Sequence, residues 1–149
     1  MRRQQGFSYL IVMFLVAMLT LASVRALQVT LVNEQREREA ELLLVGMAYR
    51  NAIRSYYQNA TGSARQLPKD GKVLLDDGRG QRTEHHLRKR FRDPMTAEAW
   101  EEIYENDFLI GVVSRSSRKP IKKSGFPPEL ADFSKARTYR DWKFIYRPE

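Results

Sequence analysis

Two adjacent histidines, His85 and His86, are the residues of this 149-residue chain best suited to acid–base or metal chemistry. On a helix, neighbouring side chains point about 100° apart, so the two rings could not bind one metal ion together. The chain has no cysteine, which excludes disulfides, thiolate zinc sites and cysteine catalysis. It also lacks a glycine-rich phosphate loop, an HExxH pair and a GxSxG turn. We therefore expect two surface histidines, no cofactor and no enzyme activity.

Acidic side chains in turns could bind calcium. Asp70, Asp76 and Asp77 lie near glycines, but they lack the alternating ligand spacing and the terminal glutamate of an EF-hand loop. Residues 115–140 contain a few acidic residues among many lysines and arginines, whereas a site for a hard cation concentrates negative charge. We expect no metal site in either region.

Positive charge is densest in one short cluster, which consists of Arg88, Lys89, Arg90 and Arg92. The whole chain has 26 basic and 18 acidic residues, a formal net charge of +8. Such a cluster could be a solvated face, a docking patch for an acidic protein partner, or a phosphate-binding patch for DNA. Binding to DNA of that kind depends on salt and is blind to base sequence. The sequence leaves all three interpretations open.

An uncharged apolar segment, residues 7–24, dominates the N-terminal part of the chain. As a helix it would be about 27 Å long, which nearly spans a bilayer. Its Leu, Ile, Phe and Val residues favour insertion by about 3–6 kcal/mol. Arg2 and Arg3 precede it, so the positive-inside bias predicts a cytoplasmic N-terminus and an exported remainder. A cleaved secretory signal and a plain uncleaved anchor are the alternatives.

The junction before the apolar segment reads MRRQQGFSYLI, in which a short basic leader is followed by Gly6, Phe7 and the apolar run. This pattern resembles the N-terminus of type IV prepilins and of type II secretion pseudopilins. The resemblance implies that a prepilin peptidase cuts after Gly6 and methylates the new terminal residue, Phe7. Because such a cut precedes the apolar segment, the segment would stay in the mature protein, first as a membrane anchor and later in a filament core.

One position departs from the family pattern. The family usually has glutamate at the fifth mature position, and in this chain that residue is Ile11. The resemblance implies that the glutamate pairs with the terminal amine of a neighbouring subunit. Isoleucine removes a cost of about 2–3 kcal/mol for a charge in the bilayer, but it also removes that contact. We therefore expect a minor or accessory subunit, either at a filament tip or packed by apolar contacts alone.

A second stretch supports the resemblance. Residues 84–91 are expected to form a short helix rich in basic residues, which runs into a turn at Asp93 and Pro94. G-type major pseudopilins and related proteins are similar here, with a short helix, an Asp-Pro turn and antiparallel strands in succession. The residues that carry this similarity are Leu87, Asp93, Pro94, Met95, Thr96 and Trp100.

The N-terminal helix is predicted to continue well beyond the apolar segment. No proline interrupts residues 7–59, and the helix should end near Asn59, before Gly62. An apolar stripe at three- and four-residue steps is expected to hold a small head, and it consists of Leu43, Leu44, Met47, Ala48, Ala52 and Tyr56. Gly46 is either a close-packing site or a tolerated helical glycine.

The head is predicted to contain three antiparallel strands, which gives an α+β fold of pilin-like type. The strands are expected at residues 100–104, 108–114 and 141–146, with a long irregular stretch at 115–140. The chain then divides into a leader at 1–6, a transmembrane and filament-core part of the helix at 7–24, a periplasmic part of the helix at 25–59 and a head at 60–149.

Together these features predict a pseudopilin-like subunit of a type II secretion system or related type IV filament. It would sit in the bacterial inner membrane as a single-pass protein with its head in the periplasm. The expected partners are the inner membrane, other pseudopilin subunits, the prepilin peptidase and inner-membrane components of the secretion system. The alternatives are a minor pilin of a DNA-uptake system, with nucleic acid as its partner, and a plain membrane-anchored periplasmic protein.

Overall fold

A computed structural model of the chain describes residues 5–60, 65–80 and 82–148. The elements in chain order are helix α1 (Gln5–Gln58), strand β1 (Glu101–Glu105), strand β2 (Phe108–Val113) and strand β3 (Lys143–Ile145), with short 3-10 helices at Gly71–Leu74, Pro128–Lys135 and Tyr139–Asp141. The chain divides into two compact units, Met1–Arg36 and Glu37–Glu149. A long apolar N-terminal helix and a small antiparallel sheet confirm the predicted α+β layout.

Helix α1 ends one residue before the predicted position. Its last residue is Gln58, and the N–H of Asn59 still donates to the carbonyl of Ser55 at 2.9 Å. The glycine predicted to follow the helix, Gly62, lies outside the described residues. Helix-forming residues and the absence of proline explain why the helix is continuous over its length.

The face of α1 that packs against the head includes most of the predicted stripe and extends beyond it. Ala52 and Tyr56 are buried, and Leu43, Met47 and Ala48 are partly buried against the core, whereas Leu44 is 73% exposed. The most buried row of the helix consists of Leu42, Val45, Tyr49, Ala52, Ile53 and Tyr56. The ring of Tyr49, which the prediction left out, lies 5.9 Å from that of Trp100 in the core of the head. The predicted stripe was therefore wrong at Leu44 and incomplete.

The three strands form an antiparallel sheet in the order β1-β2-β3, close to the predicted positions. Asn106 and Asp107 close the first hairpin with φ values of 52° and 66°. Such left-handed values are typical of a two-residue turn whose twist matches that of the flanking strands. The central strand β2 is buried along most of its length, and Phe144 on β3 is fully buried against the helix side of the sheet.

Residues 84–91 do not form the expected helix; none of them is helical. Bonds to a distant segment hold this backbone instead. The carbonyl of Leu74 accepts from the N–H groups of both His86 and Leu87, at 3.0 and 2.9 Å. The Leu87 side chain is buried in the core, as its apolar type suggests. Tertiary hydrogen bonds, rather than the helix-forming composition, therefore determine the backbone conformation of this segment.

The stretch at residues 115–140 is more regular than expected. It includes the 3-10 helix Pro128–Lys135. Two apolar residues of this helix, Leu130 and Phe133, are buried. The ring of Phe133 stacks on that of Trp142 with centroids 5.3 Å apart. Burial of these side chains explains why a turn-rich sequence adopts a defined backbone.

Gly46 is a close-packing site. An added Cβ atom at this position would lie 2.4 Å from atoms of the Phe144 ring. That ring is fully buried in the core, so it has little room to move. Glycine lets the sheet approach α1 at this point.

Overpacking of a core costs about 1–3 kcal/mol, and alanine gains about 1 kcal/mol over glycine in helix propensity. We therefore expect Gly46→Ala to destabilise the head by a net amount of up to about 2 kcal/mol. Urea unfolding followed by the fluorescence of Trp100 and Trp142 measures the change. Phe144→Leu removes the ring, so alanine should be tolerated better at position 46 in the double variant. A more stable Gly46→Ala variant would contradict the close approach.

Candidate functional site

The apolar segment is exposed along its whole length. Every residue from 7 to 24 is exposed, with Phe7, Leu19 and Leu21 at 70%, 67% and 66%. Helix α1 is long and apolar enough to cross a membrane. A contiguous apolar surface of this size is typical of a site that contacts lipid or another protein. The first candidate site is therefore a surface without a cavity, made by the segment itself.

Two hydroxyl groups in this part of α1, those of Thr20 and Ser23, have acceptors within the helix. The hydroxyl of Thr20 donates to the carbonyls of Val16 and Ala17 at 3.0 and 2.8 Å, and that of Ser23 donates to the carbonyl of Leu19 at 2.9 Å. Backbone groups in lipid must find partners inside the protein, and helical hydrogen bonding provides them. Hydroxyls bonded one turn back add no unsatisfied donor. This part of the helix therefore suits an apolar environment.

The predicted processing site lies at the start of the described chain. Gly6 and Phe7 are in the first turn of α1, and Arg2 and Arg3 of the predicted leader lie outside the described residues. Ile11, at the position where the resemblance to prepilins led us to expect glutamate, is 45% exposed on the same helix. The exposed surface around it is apolar and carries no acidic residue from 7 to 24.

The predicted basic cluster lies on an irregular segment on which all four residues are exposed, namely Arg88, Lys89, Arg90 and Arg92. Arg90 donates to the carboxylate of Glu102 at 2.9 Å. The ammonium group of Lys89 lies 5.3 Å from the centre of the Phe91 ring. The cluster also borders a groove of about 640 Å³ whose walls include Tyr49 and Glu102. Its charge is thus partly offset by the neighbouring strand.

The Asp-Pro turn is a buried structural joint. Asp93 is fully buried. Its Oδ2 accepts from the hydroxyls of Ser114 and Thr96 at 2.7 and 3.0 Å, and from the N–H of Arg115 at 3.3 Å. Its Oδ1 accepts from the N–H of Met95 at 2.9 Å. One carboxylate therefore joins this turn to the end of β2.

His86 is not on the surface, which corrects the expectation for this residue; His85 is exposed as predicted. The His86 side chain is only 2% exposed. Its Nε2 lies 3.1 Å from Oδ2 of Asp77, and its Nδ1 lies 2.9 Å from the hydroxyl oxygen of Ser55 on α1. The burial follows from the bond between the His86 N–H and the Leu74 carbonyl, which turns this segment inward.

Arg79 completes this second polar cluster. Its Nε and Nη2 donate to the two carboxylate oxygens of Asp77 at 2.9 and 2.7 Å. Its Nη2 also donates to the carbonyl of Tyr56 at 2.8 Å. The last carbonyls of a helix lack partners within it, so Arg79 caps the C-terminal end of α1. Hydrogen bonding from Arg79 holds the pKa of the Asp77 carboxyl far below its usual range.

Ser55, His86 and Asp77 touch one another in the order that serine hydrolases use, which raises the question of hydrolysis. Two observations count against that interpretation. The carboxylate of Asp77 is already held at both oxygens by Arg79. The neighbouring cavity is lined by Asp77 and Arg79 among others, but neither Ser55 nor His86 is among its lining residues. We interpret the cluster as a structural tie at the end of α1.

This tie makes stability depend on pH. Because the folded pKa of Asp77 lies below the unfolded value of about 3.9, its contribution is complete above about pH 5 and is lost as pH falls towards the folded pKa. We expect Asp77→Asn to cost about 2–3 kcal/mol at neutral pH and progressively less below about pH 4. Urea midpoints across this range measure the difference, with the exposed neighbour variant Asp76→Asn as the control. A penalty that is the same in acid and at neutral pH would contradict the assignment.

Comparison of the chain with known protein families, with curated proteins and with solved structures found no significant match. The functional interpretation therefore depends on the residues of this chain and on their arrangement.

Proposed function

We propose that the chain is a pseudopilin-like subunit of a type II secretion system or a related type IV filament. The observation that carries this proposal is the exposed apolar segment at the start of α1, which continues into a helix that packs against a head with its own core. In this proposal the segment first lies in the inner membrane as a single span. It then leaves the lipid when it packs against the same segment of neighbouring subunits.

The order of the N-terminal residues supports processing by a prepilin peptidase. Gly6 and Phe7 stand between a basic leader and the apolar segment, where a cut would release only the leader. A segment that is needed after processing should tolerate an apolar environment at every residue. The satisfied hydroxyls of Thr20 and Ser23 and the absence of charge fit that requirement.

Ile11 supports a minor or accessory position in the filament. In this proposal the chain offers no carboxylate from residues 7–24 to pair with the terminal amine of another subunit. It would join the filament through apolar packing alone, or at a tip where no such contact is required. The head would contact cargo or other secretion components in the periplasm.

The absence of cysteine provides a clean test of assembly, because each introduced cysteine is the only one in the chain. Single cysteines placed in turn along residues 7–24 would be cross-linked in membranes, and the partners identified by mass spectrometry. We expect adducts to pseudopilin subunits that recur every three to four residues, because one face of a helix makes the contact. Gln58→Cys, on an exposed position at the far end of α1, is the control.

Absence of adducts at all positions, in a protein that stays in the membrane fraction, would support a plain anchor and contradict assembly. Adducts of equal yield all round the helix would also contradict a defined helix–helix contact.

A further inference from the structure

Residues 115–143 concentrate positive charge in the head. Nine basic residues face only three acidic ones in this stretch, and they are Arg115, Arg118, Lys119, Lys122, Lys123, Lys135, Arg137, Arg140 and Lys143. All of them except Lys122 are exposed. We call this set the C-terminal basic surface. It is separate in sequence from the cluster at residues 88–92.

One backbone and two side-chain hydrogen bonds bring the two halves of this surface side by side. Three hydrogen bonds join them, from the N–H of Tyr139 to the carbonyl of Arg118 at 3.1 Å, from Nε of Arg140 to the carbonyl of Arg115 at 3.0 Å, and from Nζ of Lys123 to the carbonyl of Ala136 at 3.1 Å. Residues 115–123 therefore run next to residues 136–140. Charges that are distant in sequence become neighbours in the fold.

Two of the three acidic residues in this stretch are engaged in local bonds. Glu129 pairs with Arg50 of α1 at 2.7 Å. Asp141 accepts from the N–H groups of Arg137 and Thr138, both at 2.9 Å. These carboxylates therefore satisfy groups of the fold, and the arginines and lysines still outnumber them on the surface.

Glu39 fixes the C-terminal basic surface to α1. This residue is 4% exposed, and its carboxylate accepts from the N–H groups of Ile121 and Lys122 at 2.7 and 2.9 Å. The hydroxyl of Tyr139 donates to the same carboxylate at 2.7 Å. Both halves of the surface are thus bonded to the part of α1 that follows the apolar segment in the chain.

We propose that the C-terminal basic surface binds the anionic phospholipid headgroups of the membrane that holds the apolar segment. This inference depends on the membrane insertion described under the proposed function. Lysines and arginines next to an anionic leaflet are attracted to it, and the attraction falls off within a Debye length. Docking would hold the head on the bilayer before the subunit enters a filament.

Connectivity favours lipid over DNA as the partner. The membrane is tethered to the head through α1, so headgroups are present at a high effective concentration. DNA has no such tether and would have to be captured from solution. Apart from Lys143 on β3, the surface lies on irregular loops and short 3-10 helices, and no long helix within residues 115–143 could enter a groove.

The test uses the full chain in nanodiscs of phosphatidylcholine alone or mixed with phosphatidylglycerol. A fluorophore on Ser124→Cys, an exposed position within the surface, reports contact with a quencher attached to lipid headgroups. The same fluorophore on Gln58→Cys is the control. We expect phosphatidylglycerol to increase quenching at position 124 and not at position 58, and high salt to reverse it.

Two variants with the same loss of charge distinguish an effect of this surface from an effect of net charge. Replacing Arg118, Lys135 and Arg137 by glutamine should lower the docked-to-free ratio by about tenfold or more. Replacing Arg54 on α1 and Arg65 and Lys69 on the head by glutamine removes as many charges outside this surface and should change the ratio little. Equal effects of the two variants, or no effect of phosphatidylglycerol, would overturn the inference.

The outcomes also distinguish this inference from the proposed function. A chain that fails to enter nanodiscs of either composition would contradict membrane insertion itself. A chain that inserts into both, with position 124 insensitive to lipid charge, would contradict only headgroup binding. Salt-sensitive binding of duplex DNA to the inserted chain, lost in the first triple variant and without a response to phosphatidylglycerol, would identify nucleic acid as the partner instead.

Discussion

Asp93→Ala is expected to destabilise the head by about 3–5 kcal/mol. The fully buried carboxylate accepts four hydrogen bonds, and its removal would leave the hydroxyl of Ser114 and the N–H of Met95 without that acceptor. Buried donors without partners are costly because they have given up water. Urea unfolding of the detergent-solubilised chain, followed by tryptophan fluorescence, measures the loss.

Asp76→Ala provides the matched control, because Asp76 is exposed and the same group is deleted. This control should change stability by no more than about 0.5 kcal/mol. The loss of stability in Asp93→Asn should lie between those of the two alanine variants. The amide keeps one acceptor oxygen, but its NH₂ group faces other donors. Similar unfolding curves for Asp93→Ala and Asp76→Ala would contradict the role of Asp93 as a structural joint.

Val16→Arg is expected to remove most of the membrane retention of the chain. Position 16 lies near the middle of the apolar segment, where an arginine in place of valine shifts insertion by about 3–4 kcal/mol. That shift is comparable to the total of about 3–6 kcal/mol expected from the apolar residues of the segment. The fraction that resists alkaline extraction from membranes measures the effect.

Leu44→Arg tests whether position or charge alone matters. Leu44 is on the same helix and is 73% exposed, but it lies beyond the apolar segment. This variant should remain in the membrane fraction as the unmodified chain does. Equal retention of the Val16→Arg and Leu44→Arg variants would contradict burial of residues 7–24 in lipid.

The helix and the strands were predictable because neighbouring residues determine them. Helix α1 follows from a run without proline, and the hairpin follows from Asn106 and Asp107 just before the apolar strand β2. Composition also indicated the exposed apolar segment, although exposed apolar side chains continue beyond residue 24 to Val32. Processing at Gly6 and Phe7 stays a prediction, because it depends on an enzyme that the fold does not contain.

The residues that hold the head together could not be predicted in the same way. Glu39 lies in a run of charged residues that suggests a solvated helix, yet its partners are near residues 121 and 139. His86 was expected on a helix surface, and its burial depends on Leu74 and Asp77, which lie earlier in the chain. Local patterns carry no information on such distant partners.

The same limit applies to the charged surfaces. The cluster at residues 88–92 is visible in sequence, but its pairing with Glu102 is not. The C-terminal basic surface is spread over residues 115–143 and becomes one surface only when Arg118 and Tyr139 are joined by a hydrogen bond. Sequence reasoning used these lysines and arginines only as an argument against calcium.

The most direct test of the proposed function is the mass of the N-terminal peptide of the mature protein, from cells with and without the prepilin peptidase. If the proposed function is right, the chain begins with N-methylated Phe7 when the peptidase is present and with the intact leader when it is absent. A chain that keeps Met1 in both strains, or one that begins at Leu27 after loss of the apolar segment, would contradict it.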